Sequence, residues 1–151
     1  MLRVTQHQSP ATAKRYYATA DYYGEGQELV GRWGGEAARL LGLSGTVGRD
    51  EFDRLCDNLH PQTGHPLTAR TRSDRTAGYD FTFSVPKSVS LAFAVNADAD
   101  LLAAFRGAVA DTVREVETEM ACRVRDRTSG NLLWAEFVHT TSRPVGGVPD
   151  P

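Results

Sequence analysis

Two pairs of adjacent tyrosines near the start of the chain are the residues best suited to covalent chemistry. Tyr16 with Tyr17 and Tyr22 with Tyr23 account for four of the five tyrosines in 151 residues. On a continuous helix Tyr16 and Tyr23 share one face, a spacing that is also typical of core packing. Neighbours on a helix point about 100° apart, so packing alone accounts poorly for both pairs. A tyrosine hydroxyl can be a nucleophile, but its pKa of about 10 means that it needs a base or a polarised target.

Asp80 and His139 are candidates for proton transfer or metal binding. Asp80 lies on the polar side of an alternating stretch, beside Thr82. Such a carboxylate either faces solvent, or takes a proton or orients a metal ligand. His139 ends an otherwise apolar strand face, where a histidine serves packing or binds a metal. No second histidine lies at metal-site spacing from it, so the residues alone leave both alternatives open.

The positive charge is carried almost entirely by arginine, with fifteen Arg against two Lys and a formal net charge of −2. Arg70, Arg72 and Arg75 lie in one polar segment and, together with Lys87, could neutralise phosphates. Ordinary surface charge is the alternative for these four residues, and a GC-rich genome accounts equally well for the arginine excess. The net charge argues against a strongly basic nucleic-acid binder.

The elements that would position these residues alternate between strands and helices. The hydrophobic spacing and the turn residues predict strands at Leu2–Gln6, Tyr79–Ser84 and Asn131–Thr140. They predict a first helix from a Ser9 cap and Pro10 through both tyrosine pairs, and further helices at Glu36–Leu41, Asp50–Leu59, Ser88–Val95 and Asp98–Arg125. A loop is expected at His60–Ala77 and an irregular tail from Arg143. This order predicts an α+β fold, with helices on an antiparallel or mixed sheet. Two or three strands are few for so much helix, so the sheet is expected to be incomplete.

The overall composition is typical of one soluble globular domain, with 40% hydrophobic and 24% charged residues. The two cysteines, Cys56 and Cys122, lie far apart without metal-site spacing, which predicts a reduced, cytoplasmic setting. No apolar run resembles a signal peptide or a membrane span, so no membrane segment is expected.

Four sequence blocks, in this order, carry a specific resemblance. They are the two tyrosine pairs behind a short strand, Trp33-Gly34-Gly35 followed by residues 41–47 (LGLSGTV), residues 78–90 (GYDFTFSVPKSVS), and residues 130–133 (GNLL) leading through Phe137 and His139 to Thr141-Ser142-Arg143. The chain thus resembles the N-terminal relaxase domain of the TrwC/TraI-type (MobF) conjugative relaxases. The resemblance runs from about residue 2 to residue 143.

The resemblance implies a role for each candidate residue. Tyr16 matches the first catalytic tyrosine, which attacks the scissile phosphate of single-stranded transfer-origin DNA and forms a 5′-phosphotyrosyl link. Tyr22 or Tyr23 matches the second pair, used in some members for a second strand transfer. Asp80 matches the carboxylate beside the active site, a candidate base or orienting group. His139 matches the first of three histidines that bind a divalent metal ion, which would polarise the phosphate.

The chain departs from the family pattern after residue 143. The family has a His-x-His pair on the next strand, but here residues 144–151 form a Pro/Gly-rich tail. One histidine holds a divalent cation weakly where a catalytic site offers about three protein ligands. We therefore expect residues 1–143 to be part of a relaxase domain with an incomplete palm-like sheet, truncated before the His-x-His motif, that nicks DNA negligibly by itself. Whether this chain is an enzyme stays open.

Two other interpretations remain at this stage. The chain could be a non-catalytic module that binds DNA or another relaxase or conjugation protein, which the arginines at 70–75 suggest. It could also be a plain cytosolic α+β domain with all its aromatic residues in the core. The last interpretation predicts that Tyr16 is buried and remote from Asp80 and His139.

Overall fold

A computed structural model describes residues 1–14, 31–72, 75–120, 122–124 and 127–139. The tyrosine pairs at positions 16, 17, 22 and 23 lie outside the described residues, as does the tail from residue 140 onwards. The predicted course of the first helix beyond residue 14, and the predicted tail, are therefore not addressed by the structure.

Helices and short strands alternate along the described chain. The helices are α1 (residues 10–14), α2 (Glu36–Leu40), α3 (Arg49–Cys56), α4 (Lys87–Asn96) and α5 (Ala99–Glu119). The strands are β1 (Leu2–His7), β2 (Arg32–Gly34), β3 (Gly78–Phe83), β4 (Cys122–Val124), β5 (Arg127–Ser129) and β6 (Trp134–Glu136). This combination confirms the α+β class. No helix in the described part of the chain is long and apolar enough to cross a membrane.

The strands form two-stranded antiparallel ladders that pair β1 with β3, β2 with β6, and β4 with β5. The sequence predicted β1, β3 and β6 but missed the three-residue strands β2, β4 and β5. Each of these is too short to show an alternating pattern, and β2 in addition pairs with the distant β6. In the β1–β3 ladder, Leu2 lies opposite Phe83 and Thr5 lies opposite Asp80.

The starts of α1 and α5 follow directly from local sequence. The backbone amide of Thr12 donates to the Ser9 hydroxyl at 3.2 Å, and the helix begins at residue 10, so the predicted Ser9 cap with Pro10 in the first position is confirmed. The Asp98 carboxylate accepts from the amides of Asp100 and Leu101 at 2.9 and 3.2 Å. These caps satisfy backbone donors that would otherwise lack a partner.

Helix ends were predicted less well than helix starts. α5 ends at Glu119 instead of Arg125, because the chain leaves helical geometry at Met120 and pairs in the β4–β5 hairpin. α3 ends at Cys56 instead of Leu59, because Asn58 adopts a left-handed backbone with φ of 64°. The predicted strand Asn131–Thr140 is confirmed only over β6.

The alternation predicted for β3 is partly wrong. The alternation that puts Asp80 on the polar side predicts Tyr79 on the buried side, but 53% of its surface is exposed. Phe81 and Phe83, on the same side, are half-buried. Tyr79 lies opposite Gln6 near one end of the ladder. Strand alternation decides which side a residue takes, but tertiary packing decides how much of that side is covered.

The most buried side chains are concentrated between residues 38 and 61. They are Ala38, Leu43, Val47, Cys56 and Pro61. Desolvation by burial, with a smaller effect from Asp53, raises the pKa of the Cys56 thiol to about 11, so the thiol stays protonated and behaves as an apolar side chain.

Aromatic rings join this core to β6. The Phe52 ring stacks near Trp33 with 6.5 Å between ring centroids, and it meets Phe137 edge-on at 6.4 Å. A Cβ atom on Gly34 would overlap the Trp134 indole, and one on Gly31 would overlap the Phe137 ring. The glycines beside Trp33 therefore let the aromatic residues of the β6 segment lie directly on β2.

Candidate active site

Asp80 lies in the middle of the β1–β3 ladder, opposite Thr5, and carries the one carboxylate of these two strands. It is half-buried, and the Thr82 hydroxyl donates to its Oδ2 at 3.4 Å. Thr82 follows Asp80 by two residues and therefore projects to the same side of β3. The strand and its hydroxyl neighbour thus hold the carboxylate at the surface of the ladder, where a ligand can reach it.

His139 lies three residues after β6 and is exposed. Desolvation by burial lowers its pKa, and the negative charge of Asp80 acts in the opposite direction. Two consequences follow. The lowered pKa favours the uncharged imidazole, which is the form that accepts a proton or binds a metal. In addition, the fold brings Asp80 and His139, which are far apart in the sequence, within electrostatic range of each other.

Glu117 on α5 holds the segment that leads to His139. Its Oε1 accepts from the backbone amide of Leu132 at 2.9 Å and from that of Glu36, the first residue of α2, at 3.0 Å. The Leu132 carbonyl in turn accepts from the amide of Ala37 at 2.9 Å. One carboxylate therefore joins α5, the start of α2 and the approach to β6. Local sequence does not single out Glu117, because its role depends on tertiary contacts.

The helix that leads towards the tyrosine pairs is anchored at its described end. Lys14 Nζ lies 2.6 Å from Oδ2 of Asp57, which directly follows α3. Ala13, one residue earlier, is buried. Lys14 precedes Tyr16 by two residues in the sequence, so the ion pair fixes the chain shortly before the first tyrosine. The sequence analysis did not single out Lys14 or Asp57 either, because their pairing is a tertiary contact.

The four basic residues predicted to meet phosphates differ in their surroundings. Arg70 and Arg72 are exposed on the irregular segment after α3, and Lys87 is exposed at the first turn of α4. Arg75 is half-buried, and its guanidinium donates to the Cys56 carbonyl at the end of α3. Arg75 therefore stabilises the end of α3. Arg70, Arg72 and Lys87 are exposed to solvent.

The described residues do not by themselves form a metal site. His139 has the Asp80 carboxylate in electrostatic range, which suits a first ligand. Among the residues that the structure describes, however, no group of three or more His, Cys, Asp or Glu side chains is placed to hold an ion. A catalytic metal normally has about three protein ligands.

Comparison with known proteins identifies the family of this chain. The TrwC relaxase family model matches residues 10–151, and the chain belongs to this family. It is 37% identical over 150 residues to the multifunctional conjugation protein TraI of Escherichia coli strain K12, an alignment that covers 95% of this chain and 8% of TraI.

Solved structures of the conjugative relaxase TrwC are similar in fold. One, in complex with OriT DNA and free of metal, matches with a TM-score of 0.70 and 34% identity over 95% of this chain and 51% of that one. A metal-bound complex with OriT DNA matches with a TM-score of 0.72 and 33% identity over 94% of this chain and 52% of that one. The chain thus spans about half of these structures and a small part of TraI.

Proposed function

We propose that this chain forms the tyrosine-bearing part of a conjugative relaxase that acts on single-stranded DNA of a plasmid transfer origin in the bacterial cytoplasm. Residues 1–143 would be the relaxase part and residues 144–151 a tail, and other conjugation proteins would be further partners. The TrwC relatives bound to OriT DNA support the substrate class. The observation that carries the proposal is that the charge of Asp80 acts on His139, two residues that the family pattern assigns to one site.

Tyr16 would be the nucleophile of this reaction. Its phenolic oxygen forms a bond to the scissile phosphorus while the bond from phosphorus to the 3′ oxygen breaks, which leaves a 3′ hydroxyl and a 5′-phosphotyrosyl link. The phenolic proton must pass to a base, and Asp80 is the candidate that the ladder presents. Tyr17, Tyr22 and Tyr23 would complete the two pairs, with one tyrosine of the second pair available for a second transfer.

His139 would be the first ligand of a divalent metal ion. Such an ion, when bound, would stabilise the negative charge that develops on the phosphate. With His139 and Asp80 as the only nearby candidates among the described side chains, we expect weak metal binding and hence negligible cleavage of ordinary DNA by this chain alone. Arg70, Arg72, Arg75 and Lys87 would neutralise neighbouring phosphates.

A suicide substrate tests the nucleophile without depending on a tightly held metal. The substrate is a pool of single-stranded oligonucleotides, randomised around one phosphate whose bridging 3′ oxygen is replaced by sulfur. A thiolate leaves with less assistance than an alkoxide, because a thiol is far more acidic than an alcohol. We expect a covalent protein–DNA adduct, stable to denaturation, with this pool, and almost none with unmodified DNA.

Two variants decide which residue reacts. Tyr16→Phe should abolish the adduct, whereas the control Tyr79→Phe, which removes the hydroxyl of an exposed tyrosine in β3, should leave it unchanged. An adduct that persists in Tyr16→Phe, or its absence from the wild-type chain, would contradict the proposed role of Tyr16.

The second candidate function is a non-catalytic DNA-binding module, which the exposed Arg70 and Arg72 favour. It predicts salt-dependent binding of single-stranded DNA in the same samples without any adduct that depends on Tyr16.

A further inference from the structure

The side of the β1–β3 ladder that carries Asp80 also carries a cation that the sequence analysis did not consider, Arg3. Directly opposite residues of an antiparallel ladder project to the same side, and so does every second residue along each strand. Arg3 lies opposite Thr82, and Thr5 lies opposite Asp80. These four residues therefore share one side, which we call the polar face of the ladder.

The polar face is open to solvent. Arg3, Thr5 and Thr82 are exposed, and Asp80 is half-buried between them. Within the described part of the chain, the Arg3 guanidinium has no hydrogen bond or ion pair, so its donors are available to a ligand. A surface with this mixture of a cation, hydroxyl groups and one carboxylate suits a phosphodiester chain better than an apolar partner.

The other side of the ladder carries mostly apolar residues and meets α5 at the Leu2–Phe83 end. Leu2 and Phe83, which are paired in the ladder, line a cavity of about 220 Å³ together with Phe105 and Val109 of α5. The Asp80 side chain projects from β3 to the polar face, so a DNA strand reaches its carboxylate from that face.

We propose that Arg3 binds a backbone phosphate of the DNA strand that crosses the polar face, next to the phosphate that meets Asp80. This inference rests on the proposed function. A phosphate beside the Asp80 carboxylate experiences like-charge repulsion. Arg3 lies two residues along β1 from Thr5, the partner of Asp80, which is about 7 Å. Its guanidinium can form two parallel hydrogen bonds to a phosphate, and the Thr5 hydroxyl can donate a further one.

The test measures the affinity for a fluorescent single-stranded oligonucleotide of randomised sequence over a series of salt concentrations. Each phosphate contact on a single strand contributes about 0.7 to the slope of log affinity against log salt. Arg3→Gln should therefore lower the slope by about 0.7 and the affinity by about fivefold at about 0.1 M salt. The matched control is Arg114→Gln on α5, which removes one charge from an exposed arginine paired with Asp111.

The possible outcomes separate the inference from the proposed function. A reduced slope in Arg3→Gln with an unchanged slope in Arg114→Gln supports the Arg3 contact. An unchanged slope in Arg3→Gln, or equal losses in both variants, overturns it while the proposed function stands. A wild-type chain that does not bind DNA at low salt overturns the proposed substrate class as well. Thermal unfolding of both variants, expected to match the wild type, verifies that each is folded.

Discussion

Two regions of this molecule differ in how completely they bury their apolar side chains. The packed region, residues 31–61, contains Leu43 and Val47, with only 5% and 3% of their surface exposed. The open region, formed by β1, β3, α4 and α5, has apolar side chains that are half-buried or exposed, including Leu2 at 44% and Leu91 at 45%. Asp80 lies in the open region, and His139 lines a cavity with side chains of α4 and α5.

The two regions differ in accessibility and in rigidity. A site that accepts a polymer needs an accessible surface, and the β1–β3 ladder offers one. The packed region supplies rigidity instead, through buried side chains and the aromatic contacts that seat the β6 segment on β2. Glu117 joins the two regions, because it projects from α5 and binds the first amide of α2.

The largest effect is expected from a core truncation in the packed region. Leu43→Ala should lower the free energy of unfolding by about 2–5 kcal/mol, because it leaves a cavity among buried side chains. The matched truncation in the open region, Leu91→Ala, should cost less than about 1 kcal/mol, because nearly half of that side chain already contacts water. Urea unfolding of both variants measures the difference. Equal losses would show that the two regions are packed alike.

A smaller effect is expected from cutting the link between the regions. Glu117→Ala should cost about 1–3 kcal/mol, since it leaves the amides of Leu132 and Glu36 without an acceptor. Glu117→Gln keeps a carbonyl oxygen at that place and should recover most of the loss. Chemical unfolding of the two variants provides the measurement. If Gln proved as harmful as Ala, the hydrogen-bond role assigned to Oε1 would be wrong.

The smallest effect concerns the ion pair that ties α1 to α3. Lys14 and Asp57 are both partly exposed, with 31% and 42% of their side-chain surfaces accessible, so solvent screens the attraction. A double-mutant cycle with Lys14→Gln and Asp57→Asn should give a coupling of about 0.2–1 kcal/mol that shrinks as salt is added. A coupling that salt leaves unchanged would argue against an electrostatic contact.

The sequence predicted the parts of the fold that depend on local chemistry. The Ser9 cap and Pro10 define the start of α1, and the regular spacing of Leu101, Phe105 and Val109 predicts α5. Local sequence patterns do not predict β2, because three residues are too few to show an alternation of apolar and polar residues. This strand forms through its pairing with β6. Local patterns also extend α5 too far, because the β4–β5 hairpin that follows depends on pairing between strands.

The residues of the candidate site also differ in whether local sequence or the tertiary structure identifies them. The residue blocks around Tyr16, Asp80 and His139 allowed the family to be recognised from sequence, and the family match confirms it. Local pattern offers no means of ranking Arg3, since a single arginine in a strand is ordinary until the register places it beside Asp80. The roles of Tyr16, Asp80, His139 and the phosphate-binding residues stay predictions for the experiments above.

The sequence by itself thus determined the residue types of the site, the class of fold and the family, because these depend on local patterns and on residue order. Only the tertiary structure decided which of those residues meet. It brought Asp80 into electrostatic range of His139, assigned Glu117 to the amides of Glu36 and Leu132, and placed Arg3 on the face of Asp80. The physical reason is that strand register and long-range hydrogen bonds join distant segments, and no local pattern encodes their alignment.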